Sequence, residues 1–397
     1  MDSKQKTGLI LAGGGARAAY QAGVLHAILR ILHDAGIRPV RTPFDIICGT
    51  SAGALNATAL ACRADNFAGA VRGLLAVWEN VATHAVYRAD SLAVLRSGAR
   101  WLSLLSFGWL LRKWRAAPPD SLFDNTPLAG MLHRVLDLPR LDAALGSGAL
   151  HALAISASSY TSGHHLTFYQ SAAPVEPWTR HGRLALPTQI GVEHLLASSA
   201  IPFIFPAVPL YLGGRREYCG DGSMRQQAPI APAIHLGATR VLVVGAGRMN
   251  ESALEGADEA SRNGGYPSVA QVAGHAMSSI FLDSLAADVE RLQRINQTLG
   301  RLAPQSRIDL HASTGQREVK LLLIAPSERL DTIAARHTAS LPGPVRALLG
   351  ALGALESRGA ALASYLLFEA GYTRELIRLG EHDTLARRAD VLEFFAS

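Results

Sequence analysis

Three short glycine-bounded stretches hold the residues whose types and spacing could do chemistry. Gly49-x-Ser51-x-Gly53 puts a serine between two residues without side chains. That spacing suits a nucleophile on a sharp strand-to-helix turn, where the backbone is crowded and the following helix aims its positive end at the serine oxygen. The alternative is a tight strand-helix connection with a serine cap. Gly13-Gly14-Gly15, with Arg17 two residues on, can turn several N–H groups outward to hold an anion, either a phosphate or a tetrahedral oxyanion, and Arg17 would add positive potential. Asp221 stands between Gly220 and Gly222 directly after a strand-like run, which would bring a carboxylate to the same edge as Ser51.

The pattern around these residues says what must position them. The apolar run Gly8 to Ala12 stops at the three glycines, and Ala18, Ala22, Leu25, Leu29 and Leu32 then recur at helical spacing. Phe44 to Cys48 reads as a second strand, and the Ala/Leu-rich segment to Ala61 as a second helix. Two strand-loop-helix units imply a largely parallel sheet, whose loops gather at its carboxyl edge. Further along, the spacing predicts helices over about 66–82 and 125–137, and strands over 149–156, 165–169, 241–244 and 319–324. A polar loop is expected over 251–265 and one long helix over 269–299; beyond about 340 the pattern is helical. The expected architecture is a three-layer α/β/α fold with a mainly parallel central sheet over residues 7–330, and a helical C-terminal extension over 331–397.

The base that would activate Ser51 is not given by spacing. A Ser/Asp/His order would place a histidine after Asp221, and His235, His275 and His311 are available, the first two in helix-like segments and the third in a polar loop. A dinucleotide fingerprint needs a third glycine where Ala18 stands, and no acidic residue follows the second strand to hold a ribose. Taken together and in this order, the three sites resemble the patatin-like phospholipases. That family's G-G-G-x-R-G is matched by Gly13, Gly14, Gly15 and Arg17, its G-x-S-x-G by Gly49, Ser51 and Gly53, and its D-G-G/A/S by Asp221, Gly222 and Ser223. The stretch Ala197 to Pro202 is also family-like; Ala18 replaces a usual glycine, and Gln227 stands where an asparagine often follows. The resemblance implies a Ser51/Asp221 catalytic dyad, an oxyanion hole in the glycine loop, no cofactor, and a lipid or other acyl ester as substrate. A short-chain esterase or thioesterase of the same fold, or a non-catalytic lipid-binding module, are the alternatives.

Composition excludes several other classes. Among 397 residues, 49% are apolar and 18% charged, which is the balance of a globular chain and not of a disordered or fibrous one. The net charge of +6 comes with no basic run or zinc spacing, so no nucleic-acid partner is expected. Cys48, Cys62 and Cys219 are odd in number and lack C-x-x-C spacing, which points to a reducing, cytoplasmic setting without structural zinc or another metal. Lys4 and Lys6 before an apolar stretch imitate a secretion signal, but the stretch is short and rich in glycine and alanine. The uncharged runs 46–62 and 194–214 are interrupted by a glycine turn and by three prolines. Residues 91–116 combine Trp101, Leu102, Leu104, Leu105, Phe107, Trp109, Leu110 and Leu111 with flanking arginines; this block is expected to be an interfacial segment making peripheral membrane contact, a lid, or a buried helix pair.

Overall fold

The computed structural model describes residues 5–90, 121–248, 267–355 and 359–396, so the 91–116 block and the 251–265 loop lie outside the described residues. Five strands form the parallel half of the sheet, in the order β10 (Lys320–Ile324), β9 (Arg240–Val244), β1 (Thr7–Leu11), β2 (Ile46–Thr50) and β3 (Ala152–Ser159). Their sequences, among them GLIL, RVLVV and KLLLI, are nearly continuous apolar runs because both faces are covered. Alternate residues serve different layers. Leu9, Leu11, Ile47, Leu153, Leu242 and Val244 join the core under one set of helices, whereas Ile10, Ile46, Ala154, Val241 and Val243 join the core on the opposite face. This is the three-layer α/β/α arrangement.

Past β3 the sheet becomes mixed. β4 (His165–Ser171) runs antiparallel to β3, β6 (Arg183–Pro187) lies parallel to β4, and the two-residue β5 (Thr179–Arg180) closes that edge. β7 (Val208–Leu212) and β8 (Arg215–Asp221) form a hairpin. The β5–β7 strands and the helix Val192–Ser198 carry too short or too mixed a pattern to stand out in sequence. The segment read as one long helix is a helix Val269–Ser278 and a helix Ser284–Gly300, joined by a π-helical turn at Ser279–Asp283. The wider turn inserts Phe281, which is buried, between the glycine loop and Tyr365.

The residues after 330 are helical, and they share the main core with the sheet: Leu366, Tyr372, Leu376 and Phe394 belong to the same apolar cluster as Leu9 and Leu25. α1 (Ala19–Asp34) packs against the helix Ala370–Ala386, and the two meet at two glycines. A Cβ on Gly23 would overlap the Ile377 carbonyl oxygen, and one on Gly380 would overlap that of Tyr20. Tyr20 Oη donates to Asp383 at 3.0 Å beside this contact. Gly23→Ala must push two backbones apart, so urea unfolding is expected to show a loss of about 1–3 kcal/mol. A midpoint unchanged from the parent protein would mean that the contact is not tight. No described helix is long and apolar enough to cross a membrane.

Candidate functional site

Ser51 follows β2 directly and precedes α2 (Ala52–Ala61), and its backbone sits at φ 54°, ψ −132°. A non-glycine residue pays for such a conformation with about 1–3 kcal/mol, which the fold holds in place by close packing on both sides. A side chain at Gly49 would meet the Gly53 carbonyl, and one at Gly53 would meet the Leu11 carbonyl of β1, so both flanking positions admit only glycine. The strained turn lifts the Ser51 side chain out of the sheet toward β8.

Asp221 reaches it by an unexpected route. Along one edge of β3, β2 pairs with Ala152 to Ser156 and ends at Thr50, opposite Ser156. On the same edge β8 arrives antiparallel and pairs Asp221 with Ala157, the next residue. The carboxyl ends of β2 and β8 thus meet head to head. The sequence placed Asp221 at the carboxyl edge as though β8 were parallel; the position is the same, but the strand direction is the reverse. Ser51 Oγ donates to Asp221 Oδ2 at 2.5 Å, and the Ser223 N–H donates to Asp221 Oδ1 at 2.9 Å. His235, stacked on Trp178, and His275 and His311, on other helices, hydrogen-bond to neither group.

Asp221 is fully buried, and this desolvation pushes its carboxyl up to about 6, against the opposing pull of the hydrogen bonds from Ser51 and Ser223. The three thiols are also buried, and burial pushes each of Cys48, Cys62 and Cys219 up to about 12. They are inert at neutral pH.

The family-like stretch Ala197 to Pro202 acts as a strut for both halves of the pair. Ser198 Oγ accepts from the Ser51 N–H at 2.9 Å, the Ser198 carbonyl accepts from Gly222 N–H at 3.2 Å, and the Ala200 carbonyl accepts from Asp221 N–H at 3.0 Å. Gln226 joins the ends of β2 and β3, donating to Thr50 Oγ1 at 2.8 Å and to Ser156 Oγ at 3.4 Å. Ser198 and Gln226 escaped the sequence reading as individual residues, because serines and glutamines in loops carry no periodic signal; the family-like stretch was the one pointer to Ser198.

The glycine loop lies against Ser51: a Cβ on Gly13 would stand 3.0 Å from that of Ser51 and 2.5 Å from Ser223 Oγ. Gly15 has φ 55° and backs onto the Tyr365 carbonyl. Among the described residues, no acceptor takes the N–H of Gly13, Gly14 or Gly15. Ala18, where a glycine was expected, has φ −66°, so a Cβ is tolerated there without strain. Arg17 points elsewhere. Its Nε donates to Ser364 Oγ at 2.8 Å and its guanidinium lies 4.0 Å from the centre of the Tyr365 ring, so it braces the loop against the C-terminal helices.

An apolar cavity of about 270 Å³ opens beside Ser51 and Gly15. Its wall is built by Leu55 of α2, Leu74 and Trp78 of α3 (Phe67–Glu79), Leu132, and Ile201 and Phe205 beyond the strut. No cluster of three His, Cys, Asp or Glu side chains able to hold a metal occurs among the described residues.

A mainly parallel sheet under two helical layers, with a serine on a strand-to-helix turn beside an apolar cavity, defines a class of α/β proteins. Within it, the sequence matches the patatin-like phospholipase description over residues 9–234, and the chain belongs to that family. At that level it is a lipid acyl hydrolase. Among solved structures it is similar to VipD from Legionella pneumophila, with 14% identity over 94% of this chain and 67% of that one and a TM-score of 0.33. It is also similar to the type III effector protein ExoU, with 14% identity over 98% of this chain and 88% of that one and a TM-score of 0.29. No curated protein matches the sequence significantly.

Proposed function

We propose that the protein hydrolyses fatty acyl esters of phospholipids or related lipids through a Ser51/Asp221 dyad. The observation that carries this reading is the 2.5 Å hydrogen bond from Ser51 Oγ to a buried Asp221 carboxylate, next to an apolar cavity. The acyl chain lies in the cavity with its carbonyl carbon at Ser51. Asp221 accepts the serine proton as Oγ attacks; the tetrahedral intermediate collapses, and the proton passes to the departing alcohol. Water, deprotonated by the same carboxylate, then attacks the acyl-serine and frees the fatty acid. No step calls for a cofactor.

A carboxylate raised to about 6 is a better base than a free one and is still mostly ionised at pH 7. It is much weaker than an alkoxide, so most of the acceleration must come from the N–H groups of Gly13, Gly14 and Gly15, which receive the oxyanion. The cavity's apolar wall, including Leu55, Leu74, Trp78 and Phe205, favours a fatty acyl chain over an acetyl group.

The test combines labelling with a pH profile. A fluorophosphonate is expected to modify Ser51, with the adduct located by mass spectrometry and lost in Ser51→Ala. Because the base must be unprotonated, kcat/KM should fall as pH drops through about 6, approaching tenfold per unit below it. An adduct at another residue, or a rate that stays flat down to pH 4.5, would remove the dyad.

A further inference from the structure

A line of buried amides and one indole, unused by the chemistry above, joins the cavity wall to the glycine loop. Trp78 Nε1 donates to Asn56 Oδ1 at 2.8 Å. Asn56 Nδ2 donates to Gln21 Oε1 at 2.9 Å and to the Ala18 carbonyl at 3.1 Å, and Gln21 Nε2 donates to the Ala12 carbonyl at 2.7 Å. Gln21, Asn56 and Trp78 are all buried, at 0%, 2% and 6% exposure.

The direction of the line is determined by its ends. An indole N–H can only donate and a main-chain carbonyl can only accept, so each amide between them has a single workable orientation. All the donors point from Trp78 toward Ala12. In such a one-way series each bond polarises the next. The last bond falls on a peptide group that matters: the Ala12 carbonyl and the Gly13 N–H belong to the same planar unit, and the described chain contains no cis peptide. The N–H therefore points opposite to the carbonyl. By gripping the oxygen, Gln21 sets the plane of that unit and the direction of the Gly13 N–H, and it draws electron density from the N–H so that it donates more strongly. Asn56 holds the far end of the same loop through Ala18.

We propose that Gln21, Asn56 and Trp78 are positioning residues for ester hydrolysis, a relay that aims the Gly13 N–H at the developing oxyanion and strengthens it. This rests on the acyl-hydrolase reading given above. The relay acts through Gly13 and should affect turnover, whereas a residue that merely lines the cavity should affect the binding of long chains.

Gln21→Met removes the donor to Ala12 together with the acceptor of Asn56, and Trp78→Phe removes the donor to Asn56; both keep most of the side-chain volume. kcat and KM would be measured for p-nitrophenyl acetate and p-nitrophenyl octanoate, with folding checked by circular dichroism. Gln21→Met is expected to lower kcat for both esters by roughly 10- to 100-fold, up to the range seen on loss of an oxyanion donor. Trp78→Phe should lower kcat for both by about 3- to 10-fold, the worth of one net hydrogen bond. The acetate result is decisive, since an acetyl group leaves the cavity nearly empty and a wall effect of Trp78 would instead raise KM for octanoate. Should Gln21→Met fail to fold, Trp78→Phe carries the same comparison. Acetate turnover within twofold of the parent protein in the folded variants, or losses confined to KM for octanoate, would overturn the relay. A parent protein inert toward both esters, with no Ser51 adduct, would overturn the acyl-hydrolase reading and the relay with it.

Discussion

Asp221→Asn is expected to lose roughly 10³-fold in kcat/KM, within the range for removal of a general base, and yet to gain stability at neutral pH. The two effects have one cause. Burial raises the Asp221 carboxyl from an unfolded value of 3.8 to about 6 in the folded protein. Well below pH 3.8 the carboxyl is protonated in both states and burial carries no charge penalty. Between 3.8 and about 6 the folded state still binds a proton that the unfolded chain has released, so stability falls as pH rises across that window. Above it the carboxylate is charged in both states and the cost is constant, on the order of 3 kcal/mol from a shift of about two pH units. Asparagine cannot ionise. The difference in melting temperature between Asp221→Asn and the parent protein should therefore grow from pH 4 to pH 7 and then level off, whatever fixed offset the new amide introduces. A difference independent of pH would mean that Asp221 is not desolvated, and hydrolysis retained within tenfold would mean that it is not the base.

Gly222→Ala should do damage of a different kind. A Cβ at this position would overlap the Ser156 carbonyl oxygen of β3, which is backbone and cannot swing aside. The Gly222 N–H is also held by the Ser198 carbonyl at 3.2 Å, so the turn is caught between β3 and the strut. The residue must move, and Asp221 moves with it. A displacement near 1 Å at a catalytic group costs roughly 100-fold in rate, and overpacking of this sort destabilises by about 1–3 kcal/mol. Steady-state kinetics and urea unfolding on the same preparation would show both losses. A variant with normal turnover would show that the turn is looser than its contacts suggest.

The parts of the site that were legible in sequence are those where a side chain is forbidden. Gly49, Gly53 and Gly222 each face a carbonyl that a Cβ would strike, so only glycine fits, and the pattern around Ser51 and Asp221 follows from that exclusion. Short uninterrupted apolar runs marked β1, β2, β9 and β10, because each is apolar on both faces. Arg17 shows the opposite case. Its position beside the glycine loop suggested that its charge faced an anion, but Ser364 and Tyr365, more than three hundred residues on, draw the guanidinium to the C-terminal layer. Gln21 and Asn56 carry no signal of their own in sequence, since nothing local distinguishes a buried amide that grips a carbonyl from one that faces solvent.

What the sequence determined by itself was the set of strand-to-helix turns and the residues carried on them, because helical spacing, apolar runs and obligatory glycines are consequences of local geometry. Which strand end meets which was decided by the tertiary structure. The pairing of Asp221 with Ala157 at the point where β2 stops, and the seating of the Ala370–Ala386 helix on α1, depend on contacts between segments more than sixty and more than three hundred residues apart. Such pairings are selected by the fit of whole surfaces against one another, and no window of neighbouring residues contains that information.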